Sequence, residues 1–403
     1  MNNSMRLKWL LDEVDYRAGN RAAALPLLSV SITKGVRRRD ETSGPTRAAA
    51  EDLSNYKACR TGNLVINRMR AFQGALGIAP EDGMVSPDYS VLQLSPRVEP
   101  RWLSYFLTSG STVAEMASLV RGIGGTEAGN VRTPRLNVSD LHSIRTDLKP
   151  LVEQRAIADY LDRETARIDT LIEEQQRLIE MLLERRQAQI DAVIARVEGK
   201  VVRLRRVIDF LTSGSRGWGD YYADEGERFL RIGNLPRTDL TVRGVVQHVD
   251  LPSEVTEGER TRLAAGDVLF SITAYLGSVA VVEDDWVGGY VSQHVALCRL
   301  DAARAAPRFV GWVMLSTAGQ DQLRQGAAGG TKQQLALDDI RELQIPLPPL
   351  GEQRRIAAYL DEQTAKIDAL IAETETFIEL SRERRSALIT AAVTGQIDTQ
   401  GVD

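Results

Sequence analysis

Asn67, Arg68, Arg70 and Gln73 cluster just past an apolar run in the first 150 residues. Guanidinium and carboxamide groups make paired hydrogen bonds to the edges of guanine and adenine, so this cluster suits base reading. Lys34, Arg37, Arg38 and Arg39 form a basic stretch that reads as a loop suited to backbone phosphates, or as ordinary solvated surface. In the second half, Ser271, Thr273 and Tyr275 take the equivalent turn, with Gln293 and His294 on the next strand. Lys332, Gln333 and Gln334 follow a Gly-Gly-Thr, a flexible point before a helix. Trp218, in a glycine- and serine-rich loop, suits either a loop contact or a core position. Arg185, Arg186, Arg384 and Arg385 offer charges to a protein partner, or simply line a solvated helix face.

Catalytic signatures are missing. There is no glycine-rich phosphate loop ending in Gly-Lys-Ser/Thr. No Asn-Pro-Pro-aromatic tetrapeptide occurs, and the one Pro-Pro, at 348–349, lies between leucines. Glu198-Gly199-Lys200 has the form of some nuclease sites but no paired acid close upstream. The cysteines, Cys59 and Cys298, sit in different halves, and His142, His248 and His294 are scattered, so no zinc spacing or disulfide framework is present.

The elements that must position these residues come as a duplication. EQRAIADYLDRETARIDTLI (153–172) matches EQRRIAAYLDEQTAKIDALI (352–371) at a constant offset, and the match runs on through Glu184-Arg185-Arg186 and Glu383-Arg384-Arg385. Both segments lack glycine and proline through their length and carry apolar residues at helical steps, such as Ile157, Leu161, Ile168, Leu171, Ile172 and Leu178. Ile172 and Ile179 add a third apolar column, wider than a strict coiled-coil seam. Prolines stand just upstream (Pro150; Pro346, Pro348, Pro349), and Gly199 and Gly395 follow as stop signals. A helix of ~42 residues is roughly 60 Å long and must bury its stripe, and the other copy is the nearest candidate. The expectation is antiparallel pairing with a pseudo-twofold axis and a domain at each end.

Weaker echoes precede each helix. Gly62-Asn63-Leu64-Val65 resembles Gly266-Asp267-Val268-Leu269, Phe72-Gln73-Gly74 resembles Tyr275-Leu276-Gly277, and Gly124-Gly125-Thr126 resembles Gly329-Gly330-Thr331. The helices are near copies while the domains have diverged, so the helices share one job and the domains do different ones. The division is 1–150, a helix over 151–198, a second domain over 199–350, a helix over 351–395 and a tail over 396–403. Phe309–Gln325 reads as one helix. The fold class is mixed α/β (α+β). Net charge is −5, yet residues 1–150 carry +5 and every later segment is acidic, so a grip on nucleic acid needs a basic partner. No apolar run is long enough to span a membrane, and charge interrupts the N-terminus too early for a signal peptide, which points to a cytoplasmic protein.

The order of strand-rich domain, Gly-Gly-Thr, PLPPLGEQ (346–353) and EQRRIAAYLDEQTAKIDALI occurs twice and resembles the specificity subunit of Type I restriction–modification systems, over essentially the whole chain. The first copy departs in its lead-in, DLKPLVEQ (147–154), which keeps one proline. The resemblance implies two target-recognition domains, each reading half of a split, asymmetric site in double-stranded DNA. It implies helices that set the spacing and dock modification (methyltransferase) subunits, two of them, alongside restriction subunits. It implies a non-catalytic chain that binds no cofactor, since S-adenosylmethionine, ATP and Mg serve the partners. Two other readings stand beside it: a coiled-coil adaptor with protein-binding ends, and a single-chain nuclease or methyltransferase, which the missing motifs disfavour.

Overall fold

The computed structural model describes residues 4–39, 53–120, 134–252, 254–327 and 334–397. The chain forms two compact units: residues 1–175 with 376–403, and residues 176–375.

In the first unit, β1 (Ser4–Arg6) pairs antiparallel with β10 (Arg145–Asp147), the strand that leads into the long helix α4 (Leu151–Ala195). Inside this clasp lies an antiparallel sheet in the order β2 (Leu11–Val14), β9 (Tyr89–Leu94), β6 (Leu64–Asn67), β7 (Leu76–Ile78). Two smaller pairs complete the strands, β3 (Leu28–Ser31) with β4 (Gly35–Arg38) and β5 (Lys57–Cys59) with β8 (Gly83–Val85). Helices α1 (Pro100–Thr108), α2 (Gly110–Leu119) and α3 (Val138–Ser143) cover the sheet. Their core, with Trp102, Leu103 and Leu107, extends onto Ile157 and Leu161 of α4.

The second unit repeats the plan. Strand β11 (Lys200–Arg203) pairs with β20 (Gln344–Leu347), which leads into α8 (Leu350–Val393). Its main sheet runs β12 (Ile208–Ser213), β19 (Val295–Leu300), β16 (Val268–Ser271), β17 (Val279–Val281), the same order as in the first. The divergence lies beside it. Here a second four-stranded sheet forms from β13 (Tyr222–Ala223), β15 (Gln247–Val249), β14 (Glu227–Leu230) and β18 (Tyr290–Val291). Trp218 packs there against Phe229 and Tyr290, a core residue rather than a loop contact. Helices α5 (Pro307–Leu315), α6 (Thr317–Gly326) and α7 (Leu337–Glu342) follow. The single helix expected over Phe309–Gln325 is two, because Ser316 turns extended and its Oγ accepts from Gly319 N–H; Ser109 does the same for Thr112 N–H between α1 and α2.

The long helices pair antiparallel within each unit. In the first, the start of α4 shares a core with Ile389 and Val393 near the end of α8, and Asp169 binds Arg385 in a two-pronged ion pair of 2.8 and 3.2 Å. In the second, Ile190 near the end of α4 shares a core with Ile356 and Leu360, and Arg186 binds Asp368 at 2.8 and 3.2 Å. The pairing seam is narrower than the sequence suggests. Thr165, Ile168, Ile172 and Leu182 are buried at steps of three, four and ten, and Thr364, Ile367, Thr374 and Ile378 at steps of three, seven and four. Leu178, expected on the buried stripe, faces solvent, as do Leu370 and Phe377 of the second helix, because two paired helices cover only a narrow strip of each other. Gly395 ends α8 with φ 74°. Gly199 is not such a cap: a β-carbon there would lie 2.9 Å from the Pro348 nitrogen, so the residue lets the chain pass close to the lead-in of α8.

Candidate nucleic-acid interface

Each main sheet presents one hairpin corner built on the same backbone plan. In the first domain, Asn67 N–H donates to the Ala75 carbonyl and Gly74 turns the chain with φ 90°. In the second, Ser271 N–H donates to the Ser278 carbonyl and Gly277 turns with φ 95°. The segment that returns toward the long helix pins both turns, Leu136 N–H to the Arg68 carbonyl and Leu335 N–H to the Ile272 carbonyl.

This plan sorts the expected residues. Asn67 and Ser271, the last strand positions, are buried and act on their own turns rather than facing outward. Asn67 accepts from Met69 N–H, and Ser271 Oγ donates to the Tyr275 carbonyl at 2.6 Å. Arg68 is held by the Leu136 carbonyl and Asn137. Arg70 and Gln73 remain exposed. Lys34 is exposed in the turn between β3 and β4, and Ile32 of that turn lies against Gly74, so Lys34 joins Arg70 and Gln73 at one corner. The expected basic loop is largely strand. Arg37 and Arg38 belong to β4, and Arg38 is committed to Glu81 at 2.6 Å, which raises its pKa through that hydrogen bond. Arg39 is half-buried, its N–H on the Leu27 carbonyl.

At the second corner Tyr275, 54% exposed, adopts φ 55°, the one non-glycine positive φ among the described residues. A side chain in this left-handed region costs about 1–2 kcal/mol, so the surrounding bonds must hold it. The Arg237 guanidinium lies 4.5 Å from the ring centroid. Thr273 Oγ1 meets His294 Nδ1 at 3.0 Å, and Gln293 Nε2 meets His294 Nε2 at 3.1 Å. Both ring nitrogens of His294 are therefore engaged by its neighbours. Gln334 is exposed beside pinned Leu335. Lys332, Gln333 and both Gly-Gly-Thr motifs lie outside the described residues.

The four helix arginines divide. Arg185 and Arg384 are exposed. Arg186 is 3% exposed, spent on Asp368, the Thr238 carbonyl and the Trp312 ring, so it serves the chain's own packing and not an incoming partner. Arg385 is likewise engaged, on Asp169.

Sequence reading missed the polar residues that fasten each domain to its helix. Gln154 and Gln353, both fully buried, make the same three bonds. Gln154 accepts from Glu99 N–H and donates to the Arg97 and Lys149 carbonyls. Gln353 accepts from Ala306 N–H and donates to the Arg304 and Pro348 carbonyls. Asp162 takes Arg101 and the Tyr105 hydroxyl, and Asp361 takes Arg308 and the Trp312 indole N–H. Burial pushes the Tyr105 phenol up to about 12, and the bond to Asp361 raises the Arg308 guanidinium. Identity at the repeat offset was the available signal.

Among the described residues no cluster of His, Cys, Asp or Glu could hold a metal ion. No helix there is long and apolar enough to cross a membrane. Residues 251–380 match the family described as Type I restriction modification DNA specificity domain. The specificity subunit of the Type I restriction enzyme EcoBI from Escherichia coli is 34% identical over 73 residues, 18% of this chain and 15% of that protein. The match therefore spans under a fifth of that relative's length. A solved structure concerning complex assembly and conformational transition of the type I R-M system aligns over 98% of both chains, with TM-score 0.73 and 18% identity. The HsdS subunit from Thermoanaerobacter tengcongensis aligns over 98% of this chain and 97% of its own, with TM-score 0.51 and 21% identity. The fold is shared with both.

Proposed function

We propose that this chain, which carries a Type I restriction modification DNA specificity domain over residues 251–380, is the non-catalytic specificity subunit of a Type I assembly. It reads a split, asymmetric site in double-stranded DNA inside the cytoplasm. Residues 1–150 read one half-site and residues 199–350 the other, while the helical segments 151–198 and 351–395 set the spacing and dock two methyltransferase subunits, with restriction subunits joining the assembly.

One observation carries the reading. The same hairpin corner is built twice on the same clasp and sheet order, yet its tips bear different side chains: exposed Lys34, Arg70 and Gln73 in one, exposed Tyr275, His294 and Gln334 with half-buried Thr273 and Gln293 in the other. A repeated frame with unlike polar tips suits recognition of two unlike targets in one geometry. Arginine, glutamine and histidine at the tips supply donors and acceptors for base edges. Arg37 and Arg39 suit phosphate contacts, and Arg185 and Arg384 suit a protein partner. The chain's acidic balance fits a division of labour in which partners neutralise most of the phosphate charge.

The test is a footprint of the chain together with its methyltransferase subunit. The expected result is protection of two short motifs about one helical turn apart. Sequence-independent protection, or none, refutes the proposal and favours an adaptor. Methyl transfer by the purified chain alone refutes the non-catalytic assignment.

A further inference from the structure

The duplication supplies an internal control, and one place departs from it. In the second unit a cleft of about 320 Å³ opens between the start of α5 and the first turns of α8. Its floor is small and apolar, with Ala305, Ala306, Pro307, Ala357 and Ala358, and its rim carries Arg308, Arg354 and Asp361. Equivalent positions in the first unit follow from the shared bonds: Glu99 N–H and Ala306 N–H each donate to the repeated glutamine. Asp159 stands at the repeat offset from Ala358, and Arg155 at the same offset from Arg354.

In the first unit the chain fills this place itself. Glu99 pairs with Arg101 at 3.1 Å and Arg155 at 3.5 Å, and Asp159 pairs with Arg101 at 2.8 Å. In the second unit alanines replace both carboxylates. Arg308 retains Asp361, as Arg101 has Asp162, and adds Glu283, but Arg354 is exposed and has no ion-pair partner among the described residues.

We infer that the cleft receives an acidic segment of the methyltransferase subunit, whose carboxylate pairs with Arg354 as Glu99 pairs with Arg155. The apolar floor takes the aliphatic stem of that side chain. A DNA phosphate fits poorly, since it brings no apolar group to the alanine floor; Asp361 and Glu283 are already paired with Arg308. The inference deepens the proposed function, because it relies on a methyltransferase subunit binding this chain.

The experiment uses the full chain co-expressed with that subunit. Ala358→benzoylphenylalanine, irradiated in the complex, is expected to cross-link to one partner peptide containing Asp or Glu. Arg354→Glu is expected to weaken assembly about tenfold, as loss of a charge pair across an interface does. Ala306→Glu with Ala358→Asp, which fills the cleft as the first unit does, is expected to weaken it similarly while the melting temperature holds. Cross-links only within the chain, to DNA, or to a peptide without acidic residues overturn the inference. So does unchanged assembly in all variants, or weakened DNA binding by Arg354→Glu with assembly intact. If chain and subunit never associate, the proposed function falls with it; equal association in every variant removes the cleft assignment alone.

Discussion

Gln353→Ala is the sharpest probe of how the second domain is fastened to its helix. The carboxamide is fully buried and satisfies the Ala306 N–H at 2.8 Å, the Arg304 carbonyl at 2.9 Å and the Pro348 carbonyl at 2.8 Å. Truncation strands all three partners. Each stranded buried group costs about 1–3 kcal/mol. With a water recovering part of the loss, the expected cost is about 3–5 kcal/mol, a large part of the ~5–15 kcal/mol of a typical domain. Gln353→Glu keeps the size but turns a carboxylate toward two carbonyls, and is expected to cost at least as much. The assay is urea unfolding followed by fluorescence, with Trp102 and Trp312 as reporters of the two units in single-tryptophan backgrounds. Gln353→Ala should shift the Trp312 transition, and Gln154→Ala the Trp102 transition. A loss under about 1 kcal/mol, or a Gln353 variant that moves only the Trp102 signal, refutes the reasoning.

Arg186→Ala should destabilise by about 1–3 kcal/mol, because it strands the Thr238 carbonyl and vacates a buried place while the half-exposed Asp368 stays hydrated; Arg385→Ala, whose pair is partly exposed on both sides, should cost under about 1 kcal/mol; equal losses in calorimetry would contradict this. Tyr275→Gly relieves the left-handed backbone and should change stability by under about 1 kcal/mol, yet abolish selectivity at one half-site only, read by methylome sequencing; loss at both half-sites would count against it. Burial pushes the thiols of Cys59 and Cys298 up to about 11 and about 12. Raised thiol pKa values stabilise the fold fully below pH ~9, and that contribution fades as pH climbs from about 9 through the folded values. At pH 8 neither thiol should react with a disulfide reagent until denaturant is added, and immediate labelling would refute the buried placement.

The duplication and the helix limits were legible because hydropathy, proline punctuation and sequence identity all pointed the same way. The helix expected over 151–198 is Leu151–Ala195 in the structure. The corners were legible in outline, since Gly74 and Gly277 mark turns that need positive φ. What escaped was the direction of polar side chains. Asn67 and Ser271 have the chemistry to read bases, but as last strand residues they face inward and stitch their own turns. Gln154, Asp162, Gln353 and Asp361 went unmarked, since hydropathy carries no record of a neighbouring helix start that needs capping partners. Arg237 comes from a loop far from Tyr275 in sequence, so no local pattern could join them.

The seam between the long helices is more polar than stability alone would select. Thr165, Arg186, Thr364 and Ser381 sit among isoleucines and leucines, and a buried ion pair gains little over an apolar pair of similar shape. Its effect is on register. Asp169 meets Arg385 and Arg186 meets Asp368 in one alignment, and a slide by one heptad would strand Arg186, at about 3–5 kcal/mol. On the proposed function, that alignment fixes half-site spacing. Seven residues inserted after Gln175 alone should therefore break the alignment and destabilise the chain. Matched insertions after Gln175 and Ile378 should restore both ion pairs and lengthen the helices by about 10 Å. That is about three base pairs of B-DNA, so methylome sequencing should show the same bases in each half-site with a spacer longer by that amount. Altered bases, or a restored fold with the original spacer, would show that the helices do not set the distance.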